Sequence, residues 1–327
     1  AEVVGAADIL FTFGAENELS SELAGLNKGD PSKQKKIFIA IGLGALFLIL
    51  LIIIIIIVSS GDKGEENENE GLPVLGEIRC KFDVQSINAP TQILSDNFQK
   101  KTKVEIEIDN KRIKFSKEHI FNETGSHDVV FKLYENVQMD WMFENILDII
   151  SIELYSEKNI KITSMEGAFS NCGYLRQLEF NGFDTSLVKS FAYTFSKIRL
   201  SKFEFSKINT SSATNMSYMF SSSSLEEIDT EGIDTSKVID MSHMFQYCSS
   251  LLKIDLSKFD TRLVTDMSHM FRFCTSLSEL NLSAFKTSEV TNMANMFHQC
   301  ISITSIDVSS FDTSKVTDMS YMFDNCC

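Results

Sequence analysis

The chain has 327 residues, 43% of them hydrophobic, and a formal net charge of −15. That is enough apolar material for a sizeable core. The acidity argues against a nucleic-acid binder, whose phosphate contacts demand basic stripes, and against an ectodomain lying flat on an anionic membrane.

Residues 1–36 mix acidic and small residues and end in a basic cluster of Lys28, Lys33, Lys35 and Lys36; nothing there reads as a domain. From Ile37 to Val58 the chain carries no charge for 22 residues. As a helix rising 1.5 Å per residue this run spans roughly 33 Å, the thickness of the hydrocarbon core. The competing reading is a cleaved signal peptide. Against it stand the length of the apolar run, the 36 residues before it and the lack of an A-x-A site after it. A single transmembrane helix is therefore expected at 37–58. Asp62, Glu65, Glu66, Glu68 and Glu70 come after the run with only Lys63 among them. Lysines stay cytoplasmic, so the N-terminus is expected inside and everything beyond Val58 outside a plasma membrane. Residues 59–72 read as a solvated acidic linker.

From Pro73 to Tyr134 the hydrophobic period becomes two, as in EIRCKFDV (77–84), KVEIEIDNKRIKF (103–115) and HDVVFKLYE (127–135). Asp109-Asn110 lies between two alternating halves and reads as a hairpin turn. A small β cap domain is expected over 73–138, covering the apolar end of the repeats that begin at Met139. Whether it is an independent sandwich or an extension of those repeats is left open by the residues.

Residues 139–327 repeat one phrase. Copies start at Met139, Met165, Phe191, Met216, Met241, Met267, Met293 and Met319, in steps of 26, 26, 25, 25, 26, 26 and 26 residues. A fixed period of this length is the mark of a solenoid. Met267, Met270, Phe271 and Cys274 fall at i, i+3, i+4 and i+7, the spacing of one helix face, with Thr265 or Asp266 as the N-cap. Phe271 is expected in the core with Met267 and Met270, between Phe245 and Phe297. Leu277, Leu280 and Leu282 come next as L-x-x-L-x-L, a half-buried strand. The expected fold class is thus α/β: a leucine-rich-repeat solenoid with one strand and one short helix per 25–26-residue repeat. Seven repeats are full and the eighth is cut at Cys327; with Ala rather than Met at residue 1, a fragment is expected.

The phrase MSxMFxxCxSLxxIDLSxFDTSxVTDM resembles the BspA-like leucine-rich-repeat surface proteins of bacteria such as mycoplasmas and of several protists. The resemblance implies a cell-surface protein used for attachment or recognition, without catalysis. The rung at Phe191 departs from the pattern with Ile198 for Cys, the rung at Met216 drops one residue, and the rung at Met139 lacks the FDTS turn.

Candidate chemistry is sparse. Cys172, Cys248, Cys274, Cys300 and Cys326 share one slot, which suggests either a metal or disulfide ladder or a column of small buried hydrophobes. Ile146 and Ile198 fill the same slot, which favours the second. His243 and His269 stack one rung apart and are expected on a solvent-facing helix surface, since two histidines fall short of a zinc set. The Phe-Asp-Thr-Ser turns are expected to satisfy backbone N–H groups between rungs. No catalytic set, metal site or cofactor is expected. The remaining surface is the strand face, expected to be concave. There Glu227, Asp229, Lys253, Asp255, Glu279, Asn281, Ser305 and Asp307 point outward as a mainly acidic stripe, a candidate ligand face or simply a solvated one. Asn122, Asn209, Asn215 and Asn281 begin glycosylation sequons. The expectation is a non-catalytic adhesion or recognition protein with an extracellular protein or glycan ligand and no nucleic acid. The alternatives are a structural coat or spacer, or the non-catalytic part of a longer protein.

Overall fold

A computed structural model describes residues 71–326. The expected transmembrane helix at 37–58, the segment before it and nearly all of the acidic linker lie outside the described residues. The described residues belong to one compact unit, which holds both the cap and the repeats. Among the described residues no helix is long and apolar enough to cross a membrane.

The two-residue period produces strands. These are β1 (Gly76–Val84), β2 (Pro90–Gln92), β3 (Val104–Ile108), β4 (Lys111–Ile113), β5 (Glu118–Ile120) and β6 (Gly125–Leu133). Along β1, Ile78, Cys80, Phe82 and Val84 are buried while Lys81 and Asp83 face water. Asp109 and Asn110 both take positive φ, 48° and 63°, and join β3 to β4 as a tight hairpin pairing Ile108 with Lys111. Positive φ at both central residues gives the turn the twist that antiparallel strands require.

The cap is continuous with the solenoid. After β7 (Val137–Gln138), the 16-residue β8 (Ile149–Ser164) pairs antiparallel with β1, matching Ile78 to Leu154 and Cys80 to Ile152. On its other edge β8 pairs parallel with β9 (Gln177–Asp184), matching Ile152 to Leu178. One sheet, with the order β4-β3-β6-β1-β8, thus changes from antiparallel to parallel at β8. The cap is therefore an extension of the solenoid sheet and not an independent sandwich. It pairs an edge that would otherwise present unmatched backbone groups.

Beyond β9 the rung strands are short. β10 (Lys202–Glu204) pairs parallel with β11 (Glu227–Asp229), and β12 (Lys253–Ile254) with β13 (Glu279–Leu280). A second column of parallel bridges runs Ser190, Asn215, Asp240, Asp266, Asn292 and Asp318. The result is a β-solenoid of about six turns with a period near 26 residues.

The expected short helix in each repeat is not there. Among the described residues the one helical element is a three-residue 3-10 turn, Phe205–Lys207. Residues 267–274 form tandem turns instead, and each of their N–H groups has a partner. The N–H groups of Met267, His269, Phe271 and Phe273 reach forward to the carbonyls of Asn292, Ala294, Met296 and His298 on the next rung. Those of Met270, Arg272 and Cys274 bond back to Met267, His269 and Phe271, and Ser268 N–H goes to Asp266 Oδ1 at 2.8 Å. A helix would send every N–H back along its own axis and leave none for the neighbour. Alternation between local turn and next rung requires a left-handed residue every fourth position, met here by His269 (φ 60°) and Phe273 (φ 61°). The residue expected as N-cap does cap, but what it caps is a turn.

The apolar slots nevertheless point inward as expected. Phe271 is fully buried with Met267 and Met270. Its ring stacks at 5.6 Å on Phe245 and 5.9 Å on Phe297, part of a column from Phe143 to Phe323. Phe131 of β6 packs edge-on against Phe143 at 5.5 Å and carries the column into the cap.

Candidate functional site

All eight residues of the expected stripe are exposed. Parallel register brings them into two columns. In the first, Lys202, Glu227, Lys253 and Glu279 succeed one another with alternating sign. Lys202 Nζ lies 2.6 Å from Glu227 Oε2, and this bond holds the Glu227 carboxyl below its usual range. Lys202 belongs to the stripe as well, and so does exposed Glu204, which pairs with Asp229, so this rung leaves the acidic balance of the stripe unchanged. The signal for Lys202 is in the repeat itself, where it occupies the same slot one rung earlier.

The second column, Asp229, Asp255, Asn281 and Asp307, has local work. Each side-chain oxygen accepts the N–H two residues on: Glu231 at 2.9 Å, Ser257 at 2.8 Å, Ser283 at 3.0 Å and Ser309 at 2.9 Å. These are Asx turns that fold the chain out of the strand. The bonds from Ser257 and Ser309 hold the Asp255 and Asp307 carboxyls below the usual carboxylate range.

The Phe-Asp-Thr-Ser turns do what their side chains suggest. Asp184, Asp234, Asp260 and Asp312 each accept the N–H two residues on. The threonines stitch rungs together: Thr235 Oγ1 donates to Asp260 O at 3.0 Å and accepts Asp260 N–H at 2.7 Å. Thr185, Thr210, Thr261 and Thr287 repeat the exchange with the next rung. Much of the acidity of the solenoid is thus turn-forming aspartate.

The cysteine slot is a column of thiols, without disulfides among the described residues. Each Sγ donates to the phenylalanine carbonyl of the rung before: Cys248 to Phe220 at 3.1 Å, Cys274 to Phe245 at 3.1 Å, Cys300 to Phe271 at 3.0 Å. Burial pushes the Cys248 thiol up to about 11 and the Cys300 thiol up to about 12, far from the thiolate that a metal or a nucleophile needs.

His243 and His269 are not on a solvent-facing helix surface. Both are half-buried in left-handed turns and belong to a stack in which Tyr193–Tyr218, Tyr218–His243 and His243–His269 lie 4.4, 4.1 and 4.3 Å apart. Burial pulls the His269 imidazole down to about 4, helped by His243 and Arg272 beside it. The same slot holds Trp141 at the start of the stack and Gly167 in the second rung. A Cβ on Gly167 would sit 2.1 Å from the indole, so here the glycine is required by space. The sequence does not reveal this ring stack, because helical spacing puts its slot on a solvent-facing surface.

Of the sequon asparagines, Asn209, Asn215 and Asn281 accept backbone N–H groups in turns, whereas Asn122 sits exposed in the loop between β5 and β6.

A family model described as "Mycoplasma protein of unknown function, DUF285" matches residues 137–253 and 248–327, together more than half of the chain. No curated protein and no solved structure matches.

Proposed function

This chain belongs to the DUF285 family, and from the uncharged run at 37–58 and the strand face we propose that it is a membrane-anchored surface protein that recognises a macromolecular ligand without catalysis. On this reading the solenoid is of the BspA-like leucine-rich-repeat kind, with its N-terminus cytoplasmic and its repeats outside the cell. The observation that carries it is the register of the strand face, which sets exposed Lys202 beside Glu227 and exposed Lys253 beside Glu279 on neighbouring rungs. A charged line with a fixed repeat matches an extended protein or glycan better than a small molecule. The test is binding of the full chain in lipid vesicles to protein and glycan arrays, with a Lys202→Glu, Lys253→Glu double variant as control. Binding that this variant leaves unchanged would remove the strand face from the proposal.

A second reading, a coat or spacer without a specific ligand, draws on the Asx turns: Asp229, Asp255 and Asp307 have structural work already. Arrays on which the wild-type chain binds nothing favour it.

A further inference from the structure

Where the cap meets the first rung, the loop after Leu94 and the start of that rung enclose an open pocket of about 200 Å³, lined by Asn97, Gln99, Lys101, Gln138, Asp140 and Trp141. Its position in the fold is fixed from both sides. Gln138 lies in β7, paired with β8, and its N–H donates to Thr102 Oγ1 at 3.2 Å. Asp140 is anchored through one oxygen, since Oδ1 accepts both Ser164 Oγ and, at 3.0 Å, Glu166 N–H. Its Oδ2 carries no hydrogen bond among the described residues. Asn97 donates Nδ2 to Glu144 at 2.6 Å, which leaves its carbonyl oxygen as an acceptor.

Two features of this pocket are unspent. Gln138 Oε1 is shielded from solvent and has no donor among the described residues, a costly condition that a turn of the side chain toward a bound hydroxyl group relieves. Trp141, the single tryptophan of the chain, keeps its indole in the pocket wall because Gly167 leaves room for it in the rung beneath. An indole presents a broad apolar surface with one N–H at its rim. The charged lining groups, Lys101 and Asp140, cancel in a chain of net charge −15. The lining therefore selects a neutral ligand, rich in hydroxyls, with one apolar face.

We propose that this pocket binds a single neutral sugar ring, such as the terminal residue of a glycan. The indole lies along the C–H face of the sugar, while Gln138, Asp140 and Asn97 accept its hydroxyls. The strand-face stripe takes no part, so the two sites stand or fall separately.

The lone tryptophan makes the test direct. The full chain, reconstituted in phosphatidylcholine vesicles, is titrated with glucose, galactose and N-acetylglucosamine while indole fluorescence is monitored. At least one sugar should give a saturable change with a Kd on the order of 1 mM, as expected for so small a contact. Gln138→Met keeps the length of the side chain but removes the acceptor, and should weaken that binding by roughly tenfold. Asn97→Ala, on an exposed loop, should also weaken it and serves where the Gln138 variant does not fold. Asp255→Asn with Asp307→Asn, on the stripe, should leave the titration unchanged. No saturable change with any of the three sugars overturns the proposal. So does a titration indifferent to the pocket variants, or one abolished by the stripe variants.

Discussion

Thr261 is a small side chain with two obligations. It is completely buried, its hydroxyl donates to Lys286 O at 2.9 Å, and it accepts Lys286 N–H at 2.8 Å. Thr261→Val keeps the shape and strands both backbone groups of the next rung, so it should cost roughly 1–3 kcal/mol. Thr261→Ser should lose much less. Urea unfolding decides it, and an unshifted midpoint for the valine variant would show that the exchange contributes nothing. The Thr and Asp of these turns are legible because their local bonding is written in the residue types. The aspartates of the strand stripe are legible only halfway: alternation gives their exposure, while their bonds to the N–H two residues on depend on where the strand ends. Asn122 gives a further prediction at this scale. In a glycosylating host it should carry a glycan, and half-buried Asn215 should not. Peptide mass before and after glycosidase treatment checks both sites.

Each rung pairs a run of turns with a strand, and the two are unequally visible in the sequence. The strand slots stand out because strict alternation suits an extended chain with one face buried. The turns read as a helix because Met267, Met270, Phe271 and Cys274 are buried in either arrangement. What separates the two is the destination of the N–H groups, and half of those in residues 267–274 end on another rung. Such a partner leaves no local trace. A faint trace exists in the left-handed slots, where Asn145, Asn171, Asn295 and Asn325 recur and asparagine tolerates positive φ better than most. Phe271→Ala opens the ring column between Phe245 and Phe297 and should cost roughly 3–5 kcal/mol. In a stack where each rung touches only its neighbours, the loss should emerge as faster hydrogen exchange across about 241–318, with β1 and β6 still protected. Uniform acceleration through the cap would instead mean that the whole stack opens as one unit.

For the whole molecule, acidity and stability are linked through His269. Its folded imidazole resists protonation until about pH 4, against an ordinary value of 6.5. Between those values the unfolded chain binds more protons, so stability should fall as pH drops through this window and be fully present above it. Half-buried His243, pulled down by burial, adds in the same direction. His269→Asn places in the slot the residue that Asn295 already provides, and should flatten the decline between about pH 7 and about pH 5. Equal slopes in urea midpoints for both proteins would rule the histidine out as the cause. Topology is tested at the same scale. Protease added to intact cells should remove a tag placed after Cys327 and spare one at Ala1, and the reverse pattern would turn the proposed orientation around.

The forward bonds of the turns and the threonine exchange are the same from one rung to the next. Removing residues 267–292 would therefore bring Met293 directly after Asp266 and offer His243 N–H the Ala294 carbonyl in place of Ser268, with Phe297 filling the seat of Phe271. Little in the neighbouring rungs registers the loss. Length in this architecture is a digit rather than a dimension: recombination between copies adds or deletes whole units, and each moves the far end by about one strand spacing, roughly 4.8 Å, while the joint is as sound as before.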